Sequence, residues 1–499
     1  MKNRITLINI ITSLVMQVVS IVSGLIIPRI VLLYFGSTVN GLVNSINQYI
    51  SYVSLIEGGV TGVIAANMYK PLVEKDDKKL SSVLVTASSF YRKISFLLII
   101  YTMFVSIVYP IIVDTGFDNW YVSILTIVLA ITTMLQYMFS LTMTTLLQAD
   151  KKGYVVYLTQ TVVVAGNIVL ALVSVKIYPD IIFLKIMNAV LFTMQPIIYG
   201  IYIKNTYKID WKAKKDDSLI KERWNGFSVN LAFFIHSCTD ISILTFMNEL
   251  EMISVYSVYS LVVVKLNILI NSIVTNIEPI IGHAYAKGNK KELNEKLDLF
   301  EFAILALVGF IYTITGLMIT PFVMIYTSNV TDADYYQPLF GVIIVIAEAL
   351  YLIKATHVSL AYSANKFKEI TVPTYIEAAI NIVVSILLVG KLGLIGVAIG
   401  TAAAMLYRLI FQVFFTSKIL TERRQIRYYK KFLLIIIASL IGVLICRGVF
   451  PLKEYILVNW IVYAILYVFI IGAIYIIVGY IFFKKECIFL YNYIRKKNI

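Results

Sequence analysis

Residues 456–482 read ILVNWIVYAILYVFIIGAIYIIVGYIF, an unbroken run without one charged side chain. At 1.5 Å per residue a helix of that length spans about 40 Å, more than the ~30 Å of hydrocarbon in a bilayer. A helix apolar on all sides has no polar face to turn to water, so it belongs in a core or a membrane. A transmembrane β-barrel would show ten-residue stretches of alternating polarity instead.

The same reading repeats along the chain. Cutting at polar loops gives fourteen apolar segments, at about 6–33, 41–67, 94–113, 120–146, 154–175, 181–202, 225–247, 253–282, 298–325, 337–361, 371–390, 394–416, 432–449 and 456–482. Of the 499 residues 60% are hydrophobic and 14% charged, against about 25% charged in an ordinary soluble domain. This composition excludes a soluble globular enzyme, a disordered scaffold and a disulfide-stapled secreted module. It predicts an all-α polytopic membrane protein with about fourteen transmembrane helices.

The net charge of +15 would suit a nucleic-acid partner if it were clustered on a soluble face. Instead the charges sit in short loops between apolar runs. One side of the predicted membrane holds 34 Lys and Arg, in loops such as 69–93, 204–223 and 418–431 and in both termini. The other side holds Lys176, Lys391, Arg447 and Lys453, outnumbered by acids that include Asp114, Asp118, Glu249, Glu251, Asp332 and Asp334. Positive loops stay in the cytoplasm, so both termini are expected there, in a bacterial plasma membrane, with no nucleic-acid partner. Lys2 and Arg4 before an apolar run resemble a signal peptide, but no small-residue cleavage site follows, and Pro28-Arg29 closes the run. The segment is read as a retained first helix.

An internal repeat recurs at an offset of about 215. Gln148-Ala149-Asp150-Lys151-Lys152 and a helix with Asn167 parallel Ser363-Ala364-Asn365-Lys366-Phe367 and a helix with Asn381. Tyr69-Lys70-Pro71 and the basic loop after it parallel Tyr285-Ala286-Lys287 and its sequel. The expected organisation is therefore two pseudo-symmetric six-helix lobes, 1–215 and 216–430, followed by two extra helices and a basic tail over 431–499. Six is even, so both copies enter from the same side, the layout of transporters with a substrate path between two parallel repeats.

Ten ionisable residues fall inside the apolar segments: Arg29, Glu57, Lys185, Asp240, Lys265, Glu278, Glu348, Lys354, Glu377 and Arg408. Each charge near the midplane costs roughly 2.5–3.5 kcal/mol on insertion scales. They must line a wet cavity, pair with one another or snorkel from a helix end. Arg29 and Lys185 lie near outer ends and have a snorkelling alternative, while Glu278 and Glu377 are read as helix-end anchors. Arg29, Lys265, Lys354 and Arg408 are the candidate substrate-binding cations, with Arg29 and Lys265 foremost. Glu57, Asp240 and Glu348 are candidate coupling or ion-pairing carboxylates. Buried cations ask for an anion, and a phosphate head group matches both the Arg fork and the Lys point charge.

Other motifs carry less. Glu57-Gly58-Gly59 loosens a helix and marks either a hinge or a close packing point. Cys238, Cys446 and Cys487 include no pair with metal-ligand spacing. His236, His283 and His357 show no metal spacing either and are read as satisfied polar residues. No P-loop, GxGxxG or GxSxG occurs in a strand-turn-helix setting, so no enzyme site, metal or cofactor is expected.

The chain resembles the Wzx-type polysaccharide and oligosaccharide-lipid flippases of the multidrug/oligosaccharidyl-lipid/polysaccharide exporter superfamily. The resemblance rests on Pro28-Arg29 leading to Phe35-Gly36 and Asn40-Gly41, on Tyr52-Val53-Ser54-Leu55 with Gly58, and on Asp240 and Val255-Tyr256-Ser257. It continues through Glu278-Pro279, Tyr375-Ile376-Glu377 with Asn381, and Gly393-Leu394-Ile395-Gly396. It implies twelve core helices in two bundles, alternating access around a central cavity, and an undecaprenyl-diphosphate-linked oligosaccharide moved to the outer leaflet for capsule, O-antigen or exopolysaccharide. Membrane lipids, a polysaccharide polymerase and glycosyltransferases are the partners it implies. The peptidoglycan-precursor flippases are similar but carry several arginines in their first two helices, where this chain has Arg29 alone. The alternative is a cation-coupled drug or metabolite antiporter on the same fold. A membrane enzyme would need a catalytic loop, and the longest outer loop, about 326–336, is short and lacks any basic residue.

Overall fold

A computed structural model of the chain describes residues 2–57, 60–216, 218–219, 227–247, 249–364 and 366–488. Among these every regular element is helical. In hydrocarbon each backbone N–H and C=O must be satisfied within its own segment, which leaves helices as the answer for this pattern. Among the described residues twelve stretches are long and apolar enough to cross a bilayer. One of them, Ile5–Ser51, holds a full crossing and the start of the next, and the 20-residue helix Phe227–Phe246 adds another. The expected count of about fourteen transmembrane helices holds. Outward faces are apolar: Leu444, Phe469 and Ile476 are 71%, 72% and 72% exposed, as side chains against acyl tails should be.

The chain divides into two compact units, Met1–Ser254 and Val255–Ile499. The first begins with α1 (Lys2–Ser51), continuous in hydrogen bonding but kinked where Gly36 adopts φ 80, ψ 178. That region is closed to side chains with a Cβ, so Gly36 is where the first crossing turns into the second. After a break at Tyr52-Val53 come α2 (Ser54–Glu57) and α3 (Val60–Glu74); the Gly58-Gly59 hinge expected from the sequence lies outside the described residues. Next is α4 (Asp77–Ile112), whose N-cap Asp76 accepts a hydrogen bond from the Lys79 amide at 3.0 Å. α5 (Asn119–Leu135) passes through a π-helical turn, Gln136–Ser140, into α6 (Leu141–Ala149). α7 (Gly153–Ile177), α8 (Ile181–Phe192), α9 (Met194–Thr206) and α10 (Phe227–Phe246) complete the unit.

α10 is the seventh crossing, which the repeat assigns to the second half. By packing it belongs with the first, because the hydroxyl of Thr245 pairs with Ser45 of α1 at 2.7 Å and Ser242 pairs with Tyr52. The two compact units meet in sequence at 254–255.

The second unit contains most of α11 (Leu250–Ala286), then α12 (Lys290–Tyr326), α13 (Pro338–Ile353), α14 (Ala355–Ser363), α15 (Phe367–Leu392) and α16 (Leu394–Phe415), which runs into a second π-helical turn, Thr416–Leu420. α17 (Ile426–Val449) and α18 (Leu457–Phe482) follow. Elements of similar length recur in the two units: α4 and α12 are 36 and 37 residues long and start at 77 and 290. α7 and α15 are 25 and 26 long and start at 153 and 367. α17 and α18 pack on α12. Cys446, Tyr467 and Ile471 form one buried cluster with Leu317 and Met318 of α12, and the Trp460 indole donates to the Met318 carbonyl at 3.0 Å.

Candidate functional site

Two buried cations of the second unit converge on one buried carboxylate. Glu377 of α15 receives the Lys354 ammonium at 3.4 Å from the break between α13 and α14, and the Arg408 guanidinium at 3.5 Å from α16. Lys354, Glu377 and Arg408 are 7%, 6% and 4% exposed. Arg408 also donates to the Ile370 carbonyl at 3.2 Å, and Lys354 lies 4.6 Å from the centre of the Tyr351 ring. One acid facing two bases leaves the trio with excess positive charge, held where pairing has to offset desolvation. Nearby on α13, Glu348 accepts from the Asn267 amide, whose oxygen accepts from the Tyr312 hydroxyl.

A second cluster joins α12, α14 and α17. Glu301, 1% exposed, binds Arg423 at 2.6 Å and Lys431 at 3.0 Å. Asp298, one turn earlier, takes the same two cations at 3.2 and 2.6 Å, with Arg427 at 3.6 Å. His357 stands 3.5 Å from Glu301 and is 2.7 Å from the Thr416 hydroxyl through its other ring nitrogen. The arrangement clamps the chain entering α17 onto α12.

In the first unit the buried polar contacts are mostly neutral. Asn40 donates to Ser254 at 2.8 Å, and Tyr109 donates to Ser45 at 2.8 Å, which also meets Thr245. Gly41 permits the approach at this seam, since a Cβ there would lie 1.8 Å from the Leu250 carbonyl oxygen. Glu57 accepts hydrogen bonds from Thr61 and from Tyr137 of the first π-helical turn, the latter at 3.1 Å, and Thr61 meets Tyr91 at 2.6 Å. Among the described residues no group of three or more His, Cys, Asp or Glu is placed to hold a metal ion.

No protein-family model matches the chain, and no curated protein matches it by sequence. Solved structures do match by shape. The lipid II flippase MurJ in an inward closed conformation covers 96% of this chain and 99% of its own, with a TM-score of 0.70 at 15% identity. A multidrug-resistance MATE transporter of the MOP superfamily, inward-facing, covers 81% and 95% with a TM-score of 0.57 at 13% identity. The eukaryotic MATE transporter AtDTX14 covers 87% and 99% with a TM-score of 0.55 at 13% identity. The chain shares the fold of these transporters.

Set on this fold, the sequence candidates separate into three groups. Lys354 and Arg408, expected as cavity cations, are brought together on Glu377. Glu377 departs from the helix-end anchor its sequence position suggests: it is the buried centre of the cluster, because α14 and α16 close over α15 at that level. Glu57 and Glu348 are hydrogen-bonded to hydroxyl or amide groups, and Asp240 is buried at 4% exposure with a partner of its own. Arg29 and Lys265 are half-buried; Arg29 has a partner, and among the described residues Lys265 is in no ion pair. Sequence reading missed Asp298, Glu301, Arg423 and Lys431. The available signal was two acids three residues apart at the start of an apolar segment, opposite a loop with more cations than topology needs. His236 lies where side chains are not described.

An apolar cleft of about 430 Å³ runs between α12, α13 and α17, lined by side chains such as Leu305, Val308, Ile346, Ile436 and Leu440, with Arg447 at one end. Its chemistry suits a hydrocarbon chain.

Proposed function

We propose that this protein is a flippase that moves an undecaprenyl-diphosphate-linked oligosaccharide from the cytoplasmic to the outer leaflet by alternating access, for assembly of a surface polysaccharide. The observation that carries the reading is the extent of the fold match: the lipid II flippase covers 96% of the chain, against 81–87% for the two MATE transporters. The cleft along α17 supports a substrate with a hydrocarbon tail. Arg29 and Lys265 are the residues assigned to the diphosphate, and both termini are assigned to the cytoplasm. Export of about two negative charges across an inside-negative 100 mV would release roughly 4.6 kcal/mol, so the potential alone supplies a drive.

The second reading is antiport of a drug or metabolite, favoured by the protonatable Glu57 inside a hydroxyl network. Reconstitution of the full chain with fluorescent undecaprenyl-diphosphate oligosaccharide separates the two. Wild type should expose the label to a membrane-impermeant quencher, and Lys265→Ala should slow exposure about tenfold while inserting normally. Unchanged flipping in both Lys265→Ala and Arg29→Ala removes those residues from the path. No flipping by wild type, with proton-driven uptake of a cationic dye in the same vesicles, establishes the antiporter.

A further inference from the structure

The basic side of the first unit contains a cleft that the transport reading does not use. It has a volume of about 860 Å³, between α4, the π-helical turn, α9 and the segment after α9, and adjoins a second hollow of about 610 Å³ that shares Ser88, Arg92 and Trp211. One wall is a strap, residues 207–216, laid along the first turns of α4. The Asp210 amide donates to the Ser81 hydroxyl at 3.0 Å, Ser82 donates to the Lys214 carbonyl at 2.8 Å, and the Asp216 amide donates to Thr86 at 3.0 Å. Lys215 reaches Ser89. The strap is anchored at its start as well, where Tyr207 donates to Asp150 at 2.6 Å. Burial and the Asp150 carboxylate hold that phenol far above its ordinary titration range, so it stays protonated and its proton is committed to Asp150.

The lining is divided by chemistry. Arg92, Lys204 and Lys208 line the larger cleft, and Lys93 and Lys215 the smaller. Among the described residues, Arg92, Lys93, Lys204 and Lys208 are in no ion pair, and the acid of the larger cleft, Asp210, accepts from the Lys212 amide. The apolar side is supplied by Met138 and Phe139, 42% and 40% exposed, with Phe96 at 65% and Trp211 at 48%. Arg92 and Lys93 immediately precede the apolar stretch of α4, which places them at head-group depth. Unpaired cations at that level beside exposed apolar groups fit an amphiphile with an anionic head. Basic pockets between transmembrane helices on this side of a membrane bind acidic lipid head groups, each cation contributing on the order of 1 kcal/mol.

We infer that this cleft is a binding site for an anionic phospholipid of the cytoplasmic leaflet. Its phosphate meets Arg92, Lys204 and Lys208, and its acyl chains lie against Phe96, Met138 and Phe139. The lipid fastens the strap that leads from α9 toward α10. The leaflet assignment rests on the orientation proposed above, whereas the site itself does not depend on the substrate.

The test uses full-length protein purified in a neutral detergent, with added phosphatidylglycerol, phosphatidylcholine or inorganic phosphate. Thermal unfolding is followed, and native mass spectrometry counts lipid retained on folded protein. Phosphatidylglycerol is expected to raise the melting temperature more than phosphatidylcholine does, and inorganic phosphate to leave it unchanged. The variant R92Q/K204Q/K208Q should keep its lipid-free melting temperature, because it breaks no ion pair, and should lose the extra rise. Retained phosphatidylglycerol should fall about fivefold per removed charge, from the stated contribution of each cation. Equal protection by phosphatidylcholine, equal protection by inorganic phosphate, or full phosphatidylglycerol retention by the variant would each overturn the inference. If the variant is less stable, retention counted on its folded fraction still decides. Flipping by the fluorescent assay is read separately, so failure of the transport reading leaves this result intact.

Discussion

The two units solve the same problem differently. Both carry polar side chains through apolar surroundings, but the first pairs hydroxyls and amides, as in Ser45 with Thr245 and Asn40 with Ser254. The second pairs full charges, Glu377 with Lys354 and Arg408, and Glu301 with Arg423 and Lys431. A neutral hydrogen bond between membrane helices is worth about 0.6 kcal/mol on average. A buried ion pair adds little net stability, yet removal of one partner costs about 3–5 kcal/mol because a bare charge is left behind. The first unit is thus tolerant and the second brittle, and the brittleness is concentrated on two carboxylates.

The sharpest test is Glu377→Gln. It leaves Lys354 and Arg408 facing each other at 7% and 4% exposure without their shared acid, and should destabilise the protein by about 3–5 kcal/mol, read as loss of the folded fraction in a thermal or denaturant titration. Adding Lys354→Met to Glu377→Gln should restore part of that loss, since one of the two stranded charges goes with it. If the double variant is no more stable than Glu377→Gln, the cost did not come from stranded charge, and the contrast between units fails.

Glu301→Gln should do less, although Glu301 is as deeply buried. Asp298 already holds Arg423 at 3.2 Å and Lys431 at 2.6 Å and remains to neutralise them. The expected loss is about 1.5–3 kcal/mol, the range for one hydrogen bond to a charged group. Asp298→Asn combined with Glu301→Gln should then cost more than the two single changes added together, because it removes both acids from the same two cations. Additive effects in that double-mutant cycle would mean the acids do not substitute for each other.

Much of this was legible in the sequence, and the illegible part has one cause. Crossings follow from runs of apolar residues, because such runs are a property along the chain. Lys354 and Arg408 could be picked out by depth for the same reason. What spacing does not contain is which helix faces which. Glu377 is near a basic loop in sequence, yet the sides of α14 and α16 seal it. Asp298 and Glu301 look like the polar entry to an apolar segment until the chain after α16 folds back over them. The seventh crossing illustrates it best: by duplication it starts the second half, by packing it belongs with α1, and only the hydroxyl contacts of Ser242 and Thr245 tell the two apart.

Those contacts also give the mildest prediction, and the one that probes the tolerant side of the comparison. Ser45 is fully buried and sits between Tyr109 at 2.8 Å and Thr245 at 2.7 Å. Ser45→Ala removes one hydroxyl and leaves two, and Thr245 retains a local bond to the Ile241 carbonyl at 2.7 Å. The Tyr109 phenol alone loses its acceptor. The expected cost is about 1 kcal/mol, at the upper half of the range for interhelical hydrogen bonds in membranes, and Tyr109→Phe should return part of it by withdrawing the orphaned donor. A loss of 3 kcal/mol or more from Ser45→Ala, on the scale of Glu377→Gln, would mean that the neutral seam is as brittle as the charged clusters and that α10 is held to α1 by something other than a set of replaceable hydroxyls.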